Sequence, residues 1–245
     1  MMSSIRRPAR MAVPAAVLAL LALLAPGLAT ASSAGDGGTG ATVLFEDFND
    51  GDAAGWTEYN RYFSVVKGRY VVSGGYRPKP CGRDGWSVTH AGDTSWDDYV
   101  LKAQIRMQPS PWSQGELLFR VGAQTSPSCL PVGYRLSVWG EYDPGVPRLG
   151  LMRYDATGGV LLASVIGAKE SNIWSTTDMV DVKVRVNGPR IRVWIGDQEV
   201  ISVVDPAPLR SGGVGVMGIW EATPSFDNIR VRLLEDGVIV PAVAQ

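Results

Sequence analysis

The sequence predicts an all-β protein built as a two-sheet antiparallel sandwich. The main observation is the stretch 179–195, where Val180–Val186 alternates apolar and charged residues, Asn187-Gly188 follows, and Ile191–Ile195 alternates again. This pattern around an Asn-Gly pair predicts a β-hairpin, because the turn needs positive φ values that these residues tolerate. One apolar and one polar face on each strand indicates a sheet that is buried on one side. The pattern recurs along the chain, and no segment shows a helical period.

The amino-terminal segment has the features of an export signal. Basic residues precede the apolar run Met11–Ala25, and Ala29–Ala31 supplies the small residues of a cleavage site. The apolar run is shorter than the ~20 residues that a membrane helix requires. We therefore expect a secreted, extracellular protein with a signal peptide at 1–31, a flexible leader at 32–41 and a single β-sandwich domain at 42–245.

Charge and composition narrow the range of partners. The chain has 23 basic and 24 acidic residues, a net charge of −1, and no run of either sign. This balance argues against nucleic acid, which favours a basic face, and against a polybasic membrane surface. No second apolar span follows the leader, so we expect no membrane span, and we expect a monomer.

Strand-like segments follow one another at short intervals, separated by Gly, Pro, Asn, Asp or Ser, as an all-β domain requires. We place them at 42–48, 63–66, 69–73, 86–90, 98–107, 115–121, 133–139, 148–154, 159–166, 179–187, 190–196, 199–204, 213–220 and 226–234.

Alternation within these strands assigns side chains to faces. In 98–107, the residues from Tyr99 to Met107 at every second position point to the core. In 115–121 the core set is Leu117, Phe119 and Val121, and in 133–139 it is Tyr134, Leu136 and Val138. The opposite faces of these two strands carry Glu116 and Arg120, and Arg135 and Trp139.

These four side chains are the first candidates for a ligand surface. Sugars stack their C–H faces on aromatic rings such as Trp139, and their hydroxyls are fixed by donors such as Arg120 and Arg135 and by acceptors such as Glu116. The alternative interpretation is a surface ion-pair network with the Trp packed under a loop.

The chain resembles a known superfamily at several points in order. The motifs are Phe45-Glu-Asp-Phe, Trp96-Asp-Asp-Tyr, Gly115-Glu-Leu-Leu-Phe-Arg, Gly133-Tyr-Arg-Leu, Gly212-Gly-Val-Gly-Val and Ser225-Phe-Asp-Asn-Ile-Arg-Val. In this order they resemble the concanavalin A-like lectin/glucanase superfamily, especially its laminin G-like jelly rolls and the carbohydrate-binding modules attached to bacterial glycosidases.

The resemblance implies a jelly roll of two antiparallel sheets that binds glycan or polysaccharide on its concave sheet or rim. The leading hypothesis is therefore a secreted, lectin-like protein. The alternative is an extracellular polysaccharide lyase or glycoside hydrolase on the same fold, and a third hypothesis is a protein-binding adhesion module.

The catalytic motif of glucanases in this superfamily is incomplete. Those enzymes carry Glu-x-Asp-x-x-Glu on a strand, whereas Glu141-Tyr-Asp143-Pro-Gly-Val146 ends in Val. Retaining hydrolysis needs two carboxyl groups ~5–5.5 Å apart, and no strand here offers such a pair. This departure argues against hydrolysis of the family type.

Other candidates lie at strand ends. Trp220 and Glu221 end the Gly-rich strand that begins at Val214. This is a natural position for a ligand site at the rim, and an aromatic plug at the sandwich edge is the alternative. His90 is the single histidine, on a strand with Trp86, and is a candidate catalytic base. A surface residue at a strand end is the alternative. Glu116 and Glu221 are further catalytic candidates.

We also expect one metal site and one disulfide. The resemblance implies a structural calcium ion near the first and last strands, held by carboxylates that match Asp47 and Asp227. Turn formation by 49–52 is the alternative use of the neighbouring acidic residues. Cys81 and Cys129 are the two cysteines, and in an exported chain an isolated pair predicts one disulfide.

Overall fold

A computed structural model describes residues 40–59, 62–72, 86–107, 114–122, 131–139, 148–166, 178–219 and 222–235. Within these ranges the chain forms fifteen strands. They are β1 (Thr42–Glu46), β2 (Thr57–Glu58), β3 (Phe63–Val65), β4 (Tyr70–Val72), β5 (Trp86–Ala91), β6 (Tyr99–Arg106), β7 (Gln114–Val121), β8 (Gly133–Trp139), β9 (Arg148–Asp155), β10 (Gly158–Ile166), β11 (Val180–Asn187), β12 (Arg190–Ile195), β13 (Gln198–Val204), β14 (Gly213–Ile219) and β15 (Ser225–Leu233).

The strands form two antiparallel sheets, which confirms the predicted architecture. The first sheet has the order β13-β12-β11-β6-β15-β4-β3, with β1 also paired to β15. The second sheet has the order β10-β9-β8-β7-β14-β5-β2. In the described ranges, no helix has the length and apolar character needed to cross a membrane.

One apolar layer fills the space between the sheets. Both sheets contribute alternate residues to it, and most of these side chains are completely buried. Burial of such a side chain stabilises the fold by about 1.5–3 kcal/mol each. Central members are Leu101, Ile105, Val184, Val193 and Val231 from the first sheet, and Leu117, Phe119, Leu136, Leu151 and Val216 from the second.

The predicted hairpin forms, but its turn is shifted by one residue. Asn187 still pairs with Arg190 as part of the ladder, and the two-residue loop is Gly188-Pro189, with Gly188 at φ +52°. Proline fixes its own φ near −65°, so the type I′ turn of an Asn-Gly loop, with positive φ at both central residues, is not available.

A β-bulge at Arg120 changes the alternation of β7. Phe119 pairs with Val214 and Val121 with Gly213, so Arg120 is an extra residue, and its φ is +47°. Beyond a bulge the side chains exchange faces. Val121 therefore packs with Leu118 on the far side of the sheet rather than in the inter-sheet core, and the prediction of a core Val121 opposite Arg120 is wrong.

Gly212 allows the segment that leads into β14 to approach this bulge. A Cβ at Gly212, whose φ is +150°, would lie 2.3 Å from the carbonyl carbon of Arg120. Only glycine fits such a backbone approach. The Gly212-Gly213 motif therefore has a structural role.

Candidate functional site

The surface of the second sheet that faces away from the core carries most of the predicted site residues. We call it the site face and define it by Trp86, His90, Glu116, Arg135, Ser137 and Trp139. Register explains their arrangement, because Glu116 pairs with Ser137 and Leu118 pairs with Arg135 across β7 and β8. Glu116 Oε2 lies 3.8 Å from Arg135 Nη1. The structure thus brings these two predicted residues together.

Glu116 is a buried carboxylate whose two oxygens differ in their hydrogen bonds. Its Oε1 accepts hydrogen bonds from Ser137 Oγ at 2.7 Å and from Gln114 Nε2 at 2.8 Å. Oε2 accepts none from the described residues. Burial raises the pKa of Glu116 above its ordinary value, although the Arg135 charge and the two hydrogen bonds oppose the shift. Such a group can accept or return a proton closer to neutral pH than an exposed glutamate.

Arg135 is held between a carboxylate and aromatic rings. The guanidinium carbon lies 3.6 Å from the ring centroid of Tyr154 and 5.7 Å from that of Trp86. Its side chain is only 1% exposed. A cation in contact with a ring face gains electrostatic energy that grows as water is excluded. The guanidinium therefore has a fixed position beside Glu116.

Trp139 presents a partly exposed ring at the end of β8. It stands on the same side of the strand as Arg135 and Ser137. A Cβ at Gly150 would lie 2.5 Å from Trp139 Cη2, so the indole covers the glycine of the neighbouring strand. A ring held in place by its support costs little entropy when a ligand stacks on it.

His90 and Tyr59 form an aromatic pair. Their rings stack with centroids 5.3 Å apart at 17°, and burial lowers the pKa of His90. His90 Nδ1 has no hydrogen-bond partner among the described residues. Sequence reasoning missed Tyr59, which belongs to no alternating run, and Tyr154, which alternation from Gly150 along β9 could have found.

Arg120 does not belong to the site face. Its guanidinium donates to the carbonyls of Asp97 at 2.9 Å, Gly188 at 2.8 Å and Leu209 at 2.7 Å. It also pairs with Asp98 Oδ1 at 2.8 Å. Trp139 pairs with Gln114, which lies at the opposite end of β7 from Arg120. At about 3.3 Å per residue along the strand, Trp139 and Arg120 are roughly 20 Å apart. The predicted grouping of Arg120 with Trp139 is therefore wrong, because the bulge turns Arg120 away.

Several predicted residues lie outside the described ranges. These are Trp220, Glu221, the segment Glu141–Val146, Cys81, Cys129 and the expected signal peptide at 1–31. Their roles stay predictions.

Asp47 and Asp227 lie near one another beside the β1–β15 pair. Burial raises the pKa of Asp227, and the Asp47 carboxylate adds to this shift, while the charge of Arg69 opposes it. Within the described ranges, no three potential ligand side chains cluster around a common point. Any cation here would need backbone carbonyls or water in addition to these two carboxylates.

Comparison with solved structures places the sandwich among known jelly rolls. The carbohydrate-binding module CBM66 from Bacillus subtilis matches with a TM-score of 0.55 and 20% identity, over 73% of this chain and 95% of that one. A β-1,3-1,4-glucanase (lichenase) derived from a mouse hindgut metagenome matches with a TM-score of 0.57 and 12% identity, over 78% and 99%. The predicted concanavalin A-like jelly-roll fold is confirmed.

Sequence comparison gives a relative and a family. A levanase from Bacillus sp. (strain L7) is 27% identical over 207 residues, which is 84% of this chain and 20% of the levanase. The chain thus spans about a fifth of the length of that relative. The model of the 3-keto-alpha-glucoside-1,2-lyase-like domain matches residues 40–232, most of the chain. This chain therefore belongs to the 3-keto-alpha-glucoside-1,2-lyase-like domain family.

Proposed function

We propose that this protein binds glycan noncovalently on the site face. The observation that carries the proposal is the buried Glu116–Arg135 pair, which shares a sheet face with the partly exposed rings of Trp86, His90 and Trp139. Ligand sites combine apolar and aromatic walls with a few polar groups that fix orientation. The rings offer stacking surfaces for sugar C–H faces, and the buried pair beside them offers a carboxylate oxygen that accepts no hydrogen bond from the described residues.

The relatives support a polysaccharide ligand and suggest the first probe. One relative is a levanase, and the aligned part is a fifth of its length. The B. subtilis structure is a carbohydrate-binding module that matches this chain over 95% of its own length. We therefore propose polysaccharide as the ligand class and test levan first, beside laminarin, xylan and dextran.

We expect Trp139→Ala to weaken polysaccharide binding at least about tenfold, because truncation of a tryptophan that anchors a ligand typically costs on the order of 2 kcal/mol or more. Isothermal titration calorimetry with the polysaccharide panel measures the change.

The matched control is Trp194→Ala. Trp194 lies on β12 of the first sheet, with a similar intermediate exposure, and its loss should leave the binding of neutral polymers such as levan, laminarin and dextran unchanged. Absence of binding to every polymer at millimolar sugar concentration, or equal effects of the two substitutions, would refute the proposal.

A second candidate is a lyase that acts on a 3-keto-glucoside. The observation that favours it is the raised pKa of Glu116 beside the Arg135 cation. A 3-keto group acidifies the C2 proton. Ionised Glu116 would remove that proton, the C2–H electrons would form the C1–C2 double bond, and the C1–O bond would break, while Arg135 stabilises the enolate oxygen. The leaving oxygen would then take up the proton.

Product release separates the two functions. The lyase predicts that a 3-keto-glucoside yields free aglycone and an unsaturated sugar, and that Glu116→Gln abolishes the reaction. Polysaccharide binding without any such turnover supports the binding function alone.

We also propose that Asp47 and Asp227 hold a structural calcium ion. The Asp47 carboxylate is close enough to contribute to the raised pKa of Asp227, and two such carboxylates should bind the hard cation when both are ionised. We expect calcium, and not an equal concentration of magnesium, to raise the unfolding temperature by mass action. The Asp227→Asn variant should lose this response, and an unchanged response would remove Asp227 from the ligand set.

Export and the disulfide are part of the same proposal. We propose a secreted protein, cleaved after Ala31, in which Cys81 and Cys129 form a disulfide. The support is the pattern of the leader and the cysteine count.

A further inference from the structure

The first sheet has an outer surface of concentrated positive charge. We call it the basic face and define it by Lys102, Lys183, Arg185, Arg190, Arg192 and Arg230. Alternation creates it, since the apolar residues of the same strands, such as Val184 and Val193, fill the inter-sheet core. No basic run marks this face in the sequence, because each cation is separated from the next by a core residue.

Like charges stand directly opposite each other on this face. Lys183 pairs with Lys102, Lys102 with Arg230, and Arg185 with Arg192 in the strand register. Such cross-strand pairs destabilise a sheet. Among the described residues, Arg192 has an ion pair with Glu199, whereas Arg185, Arg190 and Arg230 have none. A bound anion would relieve this repulsion.

Packing holds the cations in place. The ring centroid of Trp194 lies 4.3 Å from Lys183 Nζ and 4.7 Å from the guanidinium carbon of Arg192. Arg230 lies 4.8 Å from the ring centroid of Phe45. A surface depression of about 300 Å³ is lined by Arg185, Asn187, Arg190 and Arg192. The surface is thus an ordered array with room for a ligand between the guanidinium groups.

We propose that the basic face binds an acidic polysaccharide, a chain that carries carboxylates on uronic acid residues. Guanidinium groups bind carboxylates through paired hydrogen bonds. The cations extend over β12, β11, β6 and β15, with neighbouring strands about 4.8 Å apart, so the array suits a repeating anion rather than a single ion.

The aromatic contacts favour a polysaccharide over nucleic acid. Single-stranded nucleic acid is bound by basic grooves in which bases stack on open aromatic rings. Here the ring of Trp194, at the centre of the face, is in contact with Lys183 and Arg192 of the face itself. Because the whole chain has a net charge of −1, the attraction of a polyanion is confined to this face. This inference does not depend on the glycan site of the second sheet.

Binding of polygalacturonate to the full-length protein tests the proposal. Affinity electrophoresis at low and high salt should show retardation that salt weakens, because an interaction between charged groups is screened. We expect Arg185→Gln/Arg190→Gln to weaken binding at least about tenfold, since each lost charged hydrogen-bonded contact weakens binding about tenfold or more. The same variant should bind levan as the unchanged protein does.

The matched control is Lys67→Gln/Arg210→Gln, which removes the same charge at two exposed positions outside the basic face. This control should retain polygalacturonate binding, as should Trp139→Ala. Equal weakening by both double variants, or no weakening by the first, would overturn the proposal. Tighter binding of DNA or polyphosphate than of polygalacturonate would overturn the assignment to an acidic polysaccharide.

Discussion

We expect Arg120→Met to lower the free energy of unfolding by about 3–5 kcal/mol, the range for removal of one partner from a buried charge pair. The guanidinium is 1% exposed and donates to three carbonyls and one carboxylate. Methionine fills much of the same volume but leaves the carbonyls of Asp97, Gly188 and Leu209 without this donor. Urea unfolding followed by tryptophan fluorescence measures the loss.

Arg210→Met is the control, because Arg210 is exposed and surface substitutions usually change stability by less than about 0.5 kcal/mol. An equally small effect of Arg120→Met would show that the guanidinium contacts are not formed in solution. Loss of stability with unchanged affinity for polysaccharide in the folded fraction would agree with the separation of Arg120 from the site face.

Arg120 also shows where sequence reasoning reached its limit. Alternation assigns a face correctly as long as the ladder is regular, as it is for Glu116, Arg135 and Trp139. One residue with positive φ at position 120 reverses the assignment of both Arg120 and Val121. Nothing in the Phe119-Arg120-Val121 segment marks the bulge, because the bulge is defined by the pairing with the distant strand β14 and by the close approach of Gly212.

The sequence also does not reveal which residues are neighbours across paired strands. The sequence places Lys183 and Lys102 on polar faces but does not show that they are neighbours, so the lack of a basic run wrongly predicts the lack of a basic face. The partnership of Glu116 with Ser137 depends on the register of β7 and β8 in the same way. The two-residue strand Thr57–Glu58 is too short for any periodicity to reveal.

We expect Glu116 to make the protein less stable as pH rises. Its pKa is above the ordinary 4.5 in the folded state and ordinary in the unfolded chain. Between these two values the folded protein binds more protons, so the free energy of unfolding falls as pH rises. The fall has a limiting slope of about 1.4 kcal/mol per pH unit and ends above the folded pKa.

The difference in unfolding free energy between the unchanged protein and Glu116→Gln isolates this carboxyl group. It should decrease from about pH 4.5 upward, as measured by urea unfolding at pH 4–8. The lowered pKa of His90 acts in the opposite direction, with stability rising with pH, but it is common to both proteins and cancels. A difference independent of pH would mean that Glu116 is solvated rather than buried.

Arg135→Met provides the complementary measurement. Arg135 is the charge that opposes the rise in the Glu116 pKa, so its removal should extend the decrease in stability to higher pH. Because removal of one partner leaves a buried charge unpaired, the loss at pH 8 should reach about 3–5 kcal/mol and shrink as Glu116 becomes protonated. A loss that is the same at pH 4 and pH 8 would show that Arg135 stabilises the site face through its contact with Tyr154 and not through the carboxylate.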